Sequence, residues 1–256
     1  MPVDSPIALS FEAISEWRMP VDAVHGALPD PCEFPLALEE AVKIVVDGAC
    51  RATIMCTPCD LDVLALGNLL TRGAIASRND VASIRTEKDA VCVRLRRASA
   101  NSPIDSPSRS AASTQRGPLP RGEPFVLASI QSWVREMFDR ADIRKGTGGG
   151  MHSAGLADRM GLRWIYEDVG RQNAVDKAIG RGLAERIDFT RCCLLCSGRI
   201  AAEMAAKAVA AGIPILASRS IPTTAAYEIA VQQSLTMIGR ITTDAPVVYT
   251  GSERLA

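Results

Sequence analysis

The densest set of chemistry-bearing side chains lies in EDVGRQNAVDKAIGRG, residues 167–182. An apolar run delivers Glu167 and Asp168 into a turn at Gly170, and Arg171, Asn173, Asp176 and Lys177 open the helix-forming stretch that follows. A strand-turn-helix junction offers unpaired backbone N–H groups and suits recognition of an anion or a base. The same residues also make an ordinary N-capped helix with surface charge, because helix starts favour Asp and Asn. CSGRIAAEMAAKA repeats the design: an apolar run ends at Ser197, Gly198 and Arg199, and Glu203 and Lys207 stand four apart, the spacing of a helix-face ion pair. ASRSIPTTAA places Arg219, Ser220, Thr223 and Thr224 before a third helix. Three strand ends, each carrying Arg with small hydroxyl or Gly residues, predict a pocket for phosphate groups.

KGTGGGMHSAG adds glycines that let a backbone approach a ligand, with His152 just behind them. His152 reads as a structural hydrogen-bonder or, less commonly, a base. The segment lacks the Gly-Lys-Ser/Thr ending of a Walker loop, which argues against NTP hydrolysis. Of the eight cysteines, Cys56 and Cys59 have redox Cys-x-x-Cys spacing at an expected helix start, where the macrodipole favours thiolate; packing at a helix cap is the plainer alternative. Cys192, Cys193 and Cys196 fall in an apolar run, so we expect them in the core.

Positioning these residues requires regular elements. Residues 1–34 are rich in Pro and acidic residues and predict an irregular arm. AVKIVVDGACRATIM predicts a hairpin turning at Asp47-Gly48. Thr57, Pro58 and Asp60 read as N-cap, first-turn proline and N3 acid of a helix carrying Leu61, Leu64, Leu66 and Leu69 and ending near Gly73. A strand at 90–96 leads into a Ser/Pro-rich loop or linker over 98–122. The remainder predicts helices near 124–140, 154–160, 173–186, 200–212 and 222–234, alternating with strands at 162–169, 192–198, 213–218, 235–241 and 246–251. The fold class is therefore α/β, with an arm (1–34), a small α+β subdomain (35–97), the linker, and a layered C-terminal α/β domain (123–256) that binds the ligand.

Composition narrows the function. The chain has 256 residues, 47% of them hydrophobic, and 29 basic against 29 acidic side chains. No global field draws it to nucleic acid or an acidic membrane. The first twenty residues lack the apolar run of a signal peptide and no stretch is long enough to span a membrane, so we expect a cytoplasmic protein with reduced thiols.

These blocks together resemble the FdhD/NarQ family, formate dehydrogenase accessory proteins. The similarity runs from about residue 35 to the C-terminus, through MCTPCDLDVLALGNLLTRG, GTGGGMHSAGLAD, EDVGRQNAVDKAIG, CSGRIAAEMAAKA, SRSIPTTAAYEIA, and LTMIGR with VVYTG. The resemblance implies a homodimer with a cytidine-deaminase-like core that binds the bis(guanine dinucleotide) form of the molybdenum (or tungsten) cofactor. It also implies a sulfurtransferase that takes persulfide sulfur from a cysteine desulfurase and serves the formate dehydrogenase catalytic subunit. The family's cofactor-binding loop corresponds to Gly239, Arg240, Ile241, Thr242, Thr243 and Asp244, joined by His152, Asp168, Arg171, Asn173, Ser197, Arg199, Arg219 and Ser220. No protein-ligated metal is implied, because the H-x-E and P-C-x-x-C ligands of a zinc deaminase are missing.

The departures bear on mechanism. Where the family carries Cys-x-x-Cys on a loop between its halves, residues 98–122 contain no cysteine. Gln172 stands where the family has His, and Arg72 where it has Glu. Two readings follow: a sulfur carrier that uses Cys56 or Cys59 instead, or a cofactor-holding chaperone or permanent dehydrogenase subunit without sulfur chemistry.

Overall fold

The computed structural model describes residues 18–25, 28–96, 117–141 and 146–256. A large mixed sheet and a smaller one are joined by one hydrophobic cluster that draws on both. Strands β1 (Arg18–His25) and β2 (Leu28–Pro35) pair antiparallel, so the expected irregular arm contains a ribbon. Proline at 20, 29, 31 and 35 argued against strands, but a two-stranded ribbon is all edge and tolerates it.

The small sheet has the order β4-β3-β6-β5. Its hairpin, β3 (Glu40–Val46) and β4 (Ala49–Cys56), turns at Asp47 and Gly48, whose φ angles of 49° and 83° are those the dipeptide was expected to supply. β5 (Val81–Thr86), which the sequence did not disclose, pairs with β6 (Ala90–Leu95). α1 (Leu61–Thr71) lies against one face of this sheet and ends before Gly73, at φ 73°. Its N-cap is Asp60, in the left-handed region with no capping side-chain bond. Thr57 is not the cap, because its hydroxyl and amide are both taken up by distant residues.

In the large sheet the order is β12-β11-β10-β9-β7-β8. β9 (Cys193–Cys196), β10 (Ile215–Ser218) and β11 (Thr236–Gly239) run parallel, while β7 (His152–Asp158), β8 (Gly161–Asp168) and β12 (Val247–Thr250) are antiparallel to their neighbours. The helix expected at 154–160 is replaced by β7. Its small residues are buried between β8 and β9, and burial on both faces erases the alternation that would have marked a strand. The mixed α/β class is as expected; the strand order alone does not single out a deaminase-like core.

α2 (Leu127–Asp139) covers one face of this sheet through Ile130, Val134 and Met137. On the other face lie α3 (Arg171–Ala184), α4 (Ala202–Ala211) and α5 (Thr224–Gln233). α1 joins them there: nearly every side chain from Leu61 to Leu70 is buried, and the core runs unbroken from the small sheet through α1 and α3 to the large one. Gly67 and Gly180 make this crossing possible. A Cβ on Gly67 would overlap the Asp176 carbonyl, and one on Gly180 the Val63 carbonyl. Of the expected linker, 98–116 lies outside the described residues; 117–122 is fastened, with the fully buried Arg254 guanidinium donating to the carbonyls of Leu119 (2.8 Å) and Pro120 (2.8 and 3.0 Å).

Candidate functional site

The parallel strands β9, β10 and β11 all end at one edge of the large sheet, and the antiparallel partners put the start of β7 and the end of β8 there as well. α3, α4 and α5 begin at this edge, after N-caps Gly170, Ala201 and Thr223. Sequence-distant candidates therefore meet. Ser197 accepts the Ser153 amide at 2.9 Å and lies 3.5 Å from His152 Nδ1. A Cβ on Gly198 would stand 3.3 Å from both Arg171 Cδ and His152 Nδ1, so the absence of a side chain lets the three segments approach this closely. Arg171 Nε and Ser153 Oγ are buried with no hydrogen-bond partner. Orphaned donors at a strand-end edge are what a polar ligand would satisfy.

The C-terminal loop joins the same edge. Gly239 is packed so closely that a Cβ would lie 2.8 Å from the Ser220 carbonyl oxygen, and Arg240, at φ 53°, donates its amide to that oxygen at 3.0 Å. Thr243 folds back on the Arg240 carbonyl through both its amide and its hydroxyl. Thr242 is half-buried, Asp244 exposed, and Ile241 fully buried in the core beneath α2. Ile241 thus anchors the loop. Arg219 extends its guanidinium over the Phe138 ring, 4.8 Å from the centroid, and Arg199 is exposed at the end of β9.

Asp168 and Asn173 do not face the edge; they build it from behind. Asp168 is fully buried, ion-paired to the equally buried Lys177 at 2.7 Å, and accepts from the Thr57 amide (3.2 Å), the Gly170 amide (2.8 Å) and Asn173 Nδ2 (2.9 Å). Asn173 also donates to the Met55 carbonyl at 2.8 Å, and the Thr57 hydroxyl accepts the Val169 amide at 3.2 Å. One carboxylate therefore shapes the turn ahead of α3 and ties it to the end of β4. The Lys177 ammonium also donates to the carbonyls of Thr57 and Glu167. Burial alone would lower the pKa of Lys177, but its neighbours, the Asp168 carboxylate among them, outweigh it and raise the value.

Cys56 is the last residue of β4 and fully buried; desolvation, with the negative charge of Asp168, pushes its thiol up to about 12. Of the two readings offered for this position, packing fits better than a helix-start thiolate, because α1 begins five residues later and burial dominates. Cys59 is half-buried with Lys177 Nζ 3.5 Å from its sulfur, yet desolvation still raises it to about 11. Cys192, Cys193 and Cys196 are buried, as their apolar run implied. Cys50, Cys56, Cys59, Cys92, Cys192, Cys193 and Cys196 are unpaired, and among the described residues no group of three or more His, Cys, Asp or Glu is placed to hold a metal.

Lys207 makes the expected i,i+4 ion pair with Glu203, at 3.9 Å, but its nearer partner is the buried Asp176, whose two oxygens lie at 2.8 Å and also accept from Asn68 and Thr71. Glu203 also takes a 2.7 Å hydrogen bond from Gln172, joining the first turns of α3 and α4. The roles of Thr57, Gln172 and Ser153 were missed. Ser153 had a signal in standing beside His152 in the motif, but Thr57 had only its resemblance to an N-cap.

The model of the FdhD/NarQ family matches residues 37–256, from the start of the small sheet to the end of the chain. The chain belongs to the FdhD/NarQ family. An FdhD of Streptomyces coelicolor, named a sulfur carrier protein, is 32% identical over 95% of this chain and 96% of its own length. One from Saccharolobus solfataricus, with the same name, is 36% identical over 80% of this chain and 83% of its own. The fold is that of a Desulfotalea psychrophila crystal structure described as a formate dehydrogenase accessory protein: TM-score 0.80 at 23% identity, covering 93% of this chain and 98% of that one. Among the described residues no helix is long and apolar enough to cross a membrane.

Proposed function

We propose that this FdhD/NarQ protein is a formate dehydrogenase accessory protein that holds the guanine dinucleotide portion of the molybdenum or tungsten cofactor at the strand-end edge and takes part in its sulfuration or delivery. The observation that carries the reading is the convergence of Arg171, His152, Ser197 and Gly198 at the strand ends, with Arg171 Nε and Ser153 Oγ buried and unpartnered. Three helix N-termini on one side, and the arginines 171, 199, 219 and 240 around the edge, favour the charge of a pyrophosphate. The metal centre is cargo and needs no protein ligand. The partners in this reading are the dehydrogenase catalytic subunit, a cysteine desulfurase and a second copy of the chain, all in the cytoplasm.

The sulfur step divides the reading in two. Cys56 is buried and its thiol is pushed up to about 12, which argues against it as a carrier and supports a cofactor holder without sulfur chemistry of its own. Cys59 keeps the alternative open: it is half-buried beside an ammonium, and the relatives are named sulfur carriers. Both are tested by titrating GDP into wild type and Arg171→Ala while following radiolabelled sulfur from a cysteine desulfurase onto wild type and Cys59→Ala. We expect GDP to bind wild type and to bind Arg171→Ala at least about tenfold more weakly, roughly the loss of one charge-assisted bond. Failure of GDP to bind wild type would sink the cofactor reading. Label lost with Cys59 would establish a carrier, and GDP binding without label a holder.

A further inference from the structure

A concavity opens at the other end of the large sheet, beside the turn that precedes β9, whereas Ser197 follows that strand's last residue. Its volume is about 310 Å³, within the range of small-molecule sites. Leu70, Leu183 and Phe189 give it an apolar lining, and Arg78, Arg186 and Asp188 add charge of both signs. None of these residues takes part in the strand-end edge.

Arg186 is placed there against its backbone preference. It follows the C-cap of α3 at φ 57°, with its amide bonded to the Leu183 carbonyl and that of Ile187 to the Gly182 carbonyl. Glycine is usual in this Schellman turn, and an L side chain is disfavoured in it. The conformation sends the guanidinium across to the small unit, where Nη1 donates to Asn79 Oδ1 at 2.7 Å. Arg78, from that unit, is fixed by a 2.9 Å bond from its own Nη1 to the Val81 carbonyl. Two guanidinium groups, one from each unit, line one cleft and call for a carboxylate.

The cleft also calls for a cation. Asp188 receives the amide and hydroxyl of Thr190 on Oδ1, at 3.0 and 2.6 Å, and its Oδ2 bonds nothing among the described residues. Leu70, Leu183 and Ala211, near the C-terminal ends of α1, α3 and α4, place three negative dipole ends around the same space. A ligand meeting both demands over an apolar lining is a zwitterion with a hydrophobic body. We propose that this cleft binds a free α-amino acid with an apolar side chain: its carboxylate faces Arg78 and Arg186, its ammonium faces Asp188 and the helix ends, and its side chain rests on Leu70, Leu183 and Phe189.

The test is calorimetric titration of the full chain with L-leucine, L-phenylalanine, N-acetyl-L-leucine and L-leucinamide, repeated for Arg186→Gly. Glycine suits the turn, so that variant should melt no lower than wild type and bind GDP unchanged, which separates a lost site from a lost fold. We expect the two amino acids to bind, each blocked analogue to bind at least about tenfold more weakly, and Arg186→Gly to lose leucine by a similar factor. No heat with either amino acid, N-acetyl-L-leucine binding as well as leucine, or leucine binding unchanged in Arg186→Gly would each overturn the proposal.

Discussion

Asp168 is the residue on which the most bonds depend, and Lys177 is what makes its burial tolerable. Replacing Lys177 by Met would leave a carboxylate at zero exposure facing only neutral donors. Loss of one partner from a buried pair typically destabilises by about 3–5 kcal/mol, and we expect a fall of that size in urea denaturation at neutral pH. Both residues stood in the sequence as members of a charged motif, nine positions apart across a turn. That spacing carried no sign that they pair inward, because charge on a helix start reads as solvated until tertiary packing buries it. At Cys56 and Cys59 the sequence offered a helix-start thiolate and, as the plainer alternative, packing; burial is the larger influence on both thiols. Iodoacetamide should accordingly alkylate Cys59 slowly at neutral pH, with a rate that climbs as pH approaches about 11; rapid neutral-pH labelling would contradict its desolvation.

At the scale of elements, the crossing of α1 and α3 decides how the two sheets sit together. Gly67 and Gly180 let backbones touch, so a methyl group at either must push the helices apart. We expect Gly67→Ala to lose about 1–3 kcal/mol of stability, in spite of the better helix propensity of alanine, as measured by chemical denaturation. The hairpin at Asp47-Gly48 and the alternation of helix and strand after residue 161 were legible, because turn chemistry and amphipathic periods are local signals. β7 was not, since a strand buried on both faces has no alternation. β5 was also not, since Val81 and a half-buried Ile84 are its only inward apolar residues. For the site, the strand ends were legible and the division of labour among their residues was not: Asp168, Asn173 and Ile241 support the edge, while Arg171, Ser197 and His152 line it.

For the whole molecule, desolvated thiols set an alkaline limit. Cys56, Cys192 and Cys196 are raised from 9.0 to about 12, and Cys59 to about 11. A group whose folded pKa is raised stabilises fully below its unfolded value and loses that contribution as pH climbs toward the folded one. Stability should therefore hold to about pH 9 and then decline by up to roughly 1.4 kcal/mol per pH unit for each such thiol. Denaturation midpoints between about pH 8 and pH 10.5 should show this slope, and Cys192→Ala should flatten it by one thiol's share. The Asp168 cluster sets a different property. The amides of Thr57, Val169 and Gly170 lie in turns, where hydrogen exchange is ordinarily fast, yet each is committed to an acceptor on the far side of the seam between β4 and α3 or to the buried carboxylate itself. In deuterated water these three protons should be retained as long as those of the central strands, so the slowest-exchanging turns in the molecule would trace the line along which its two sheets were joined.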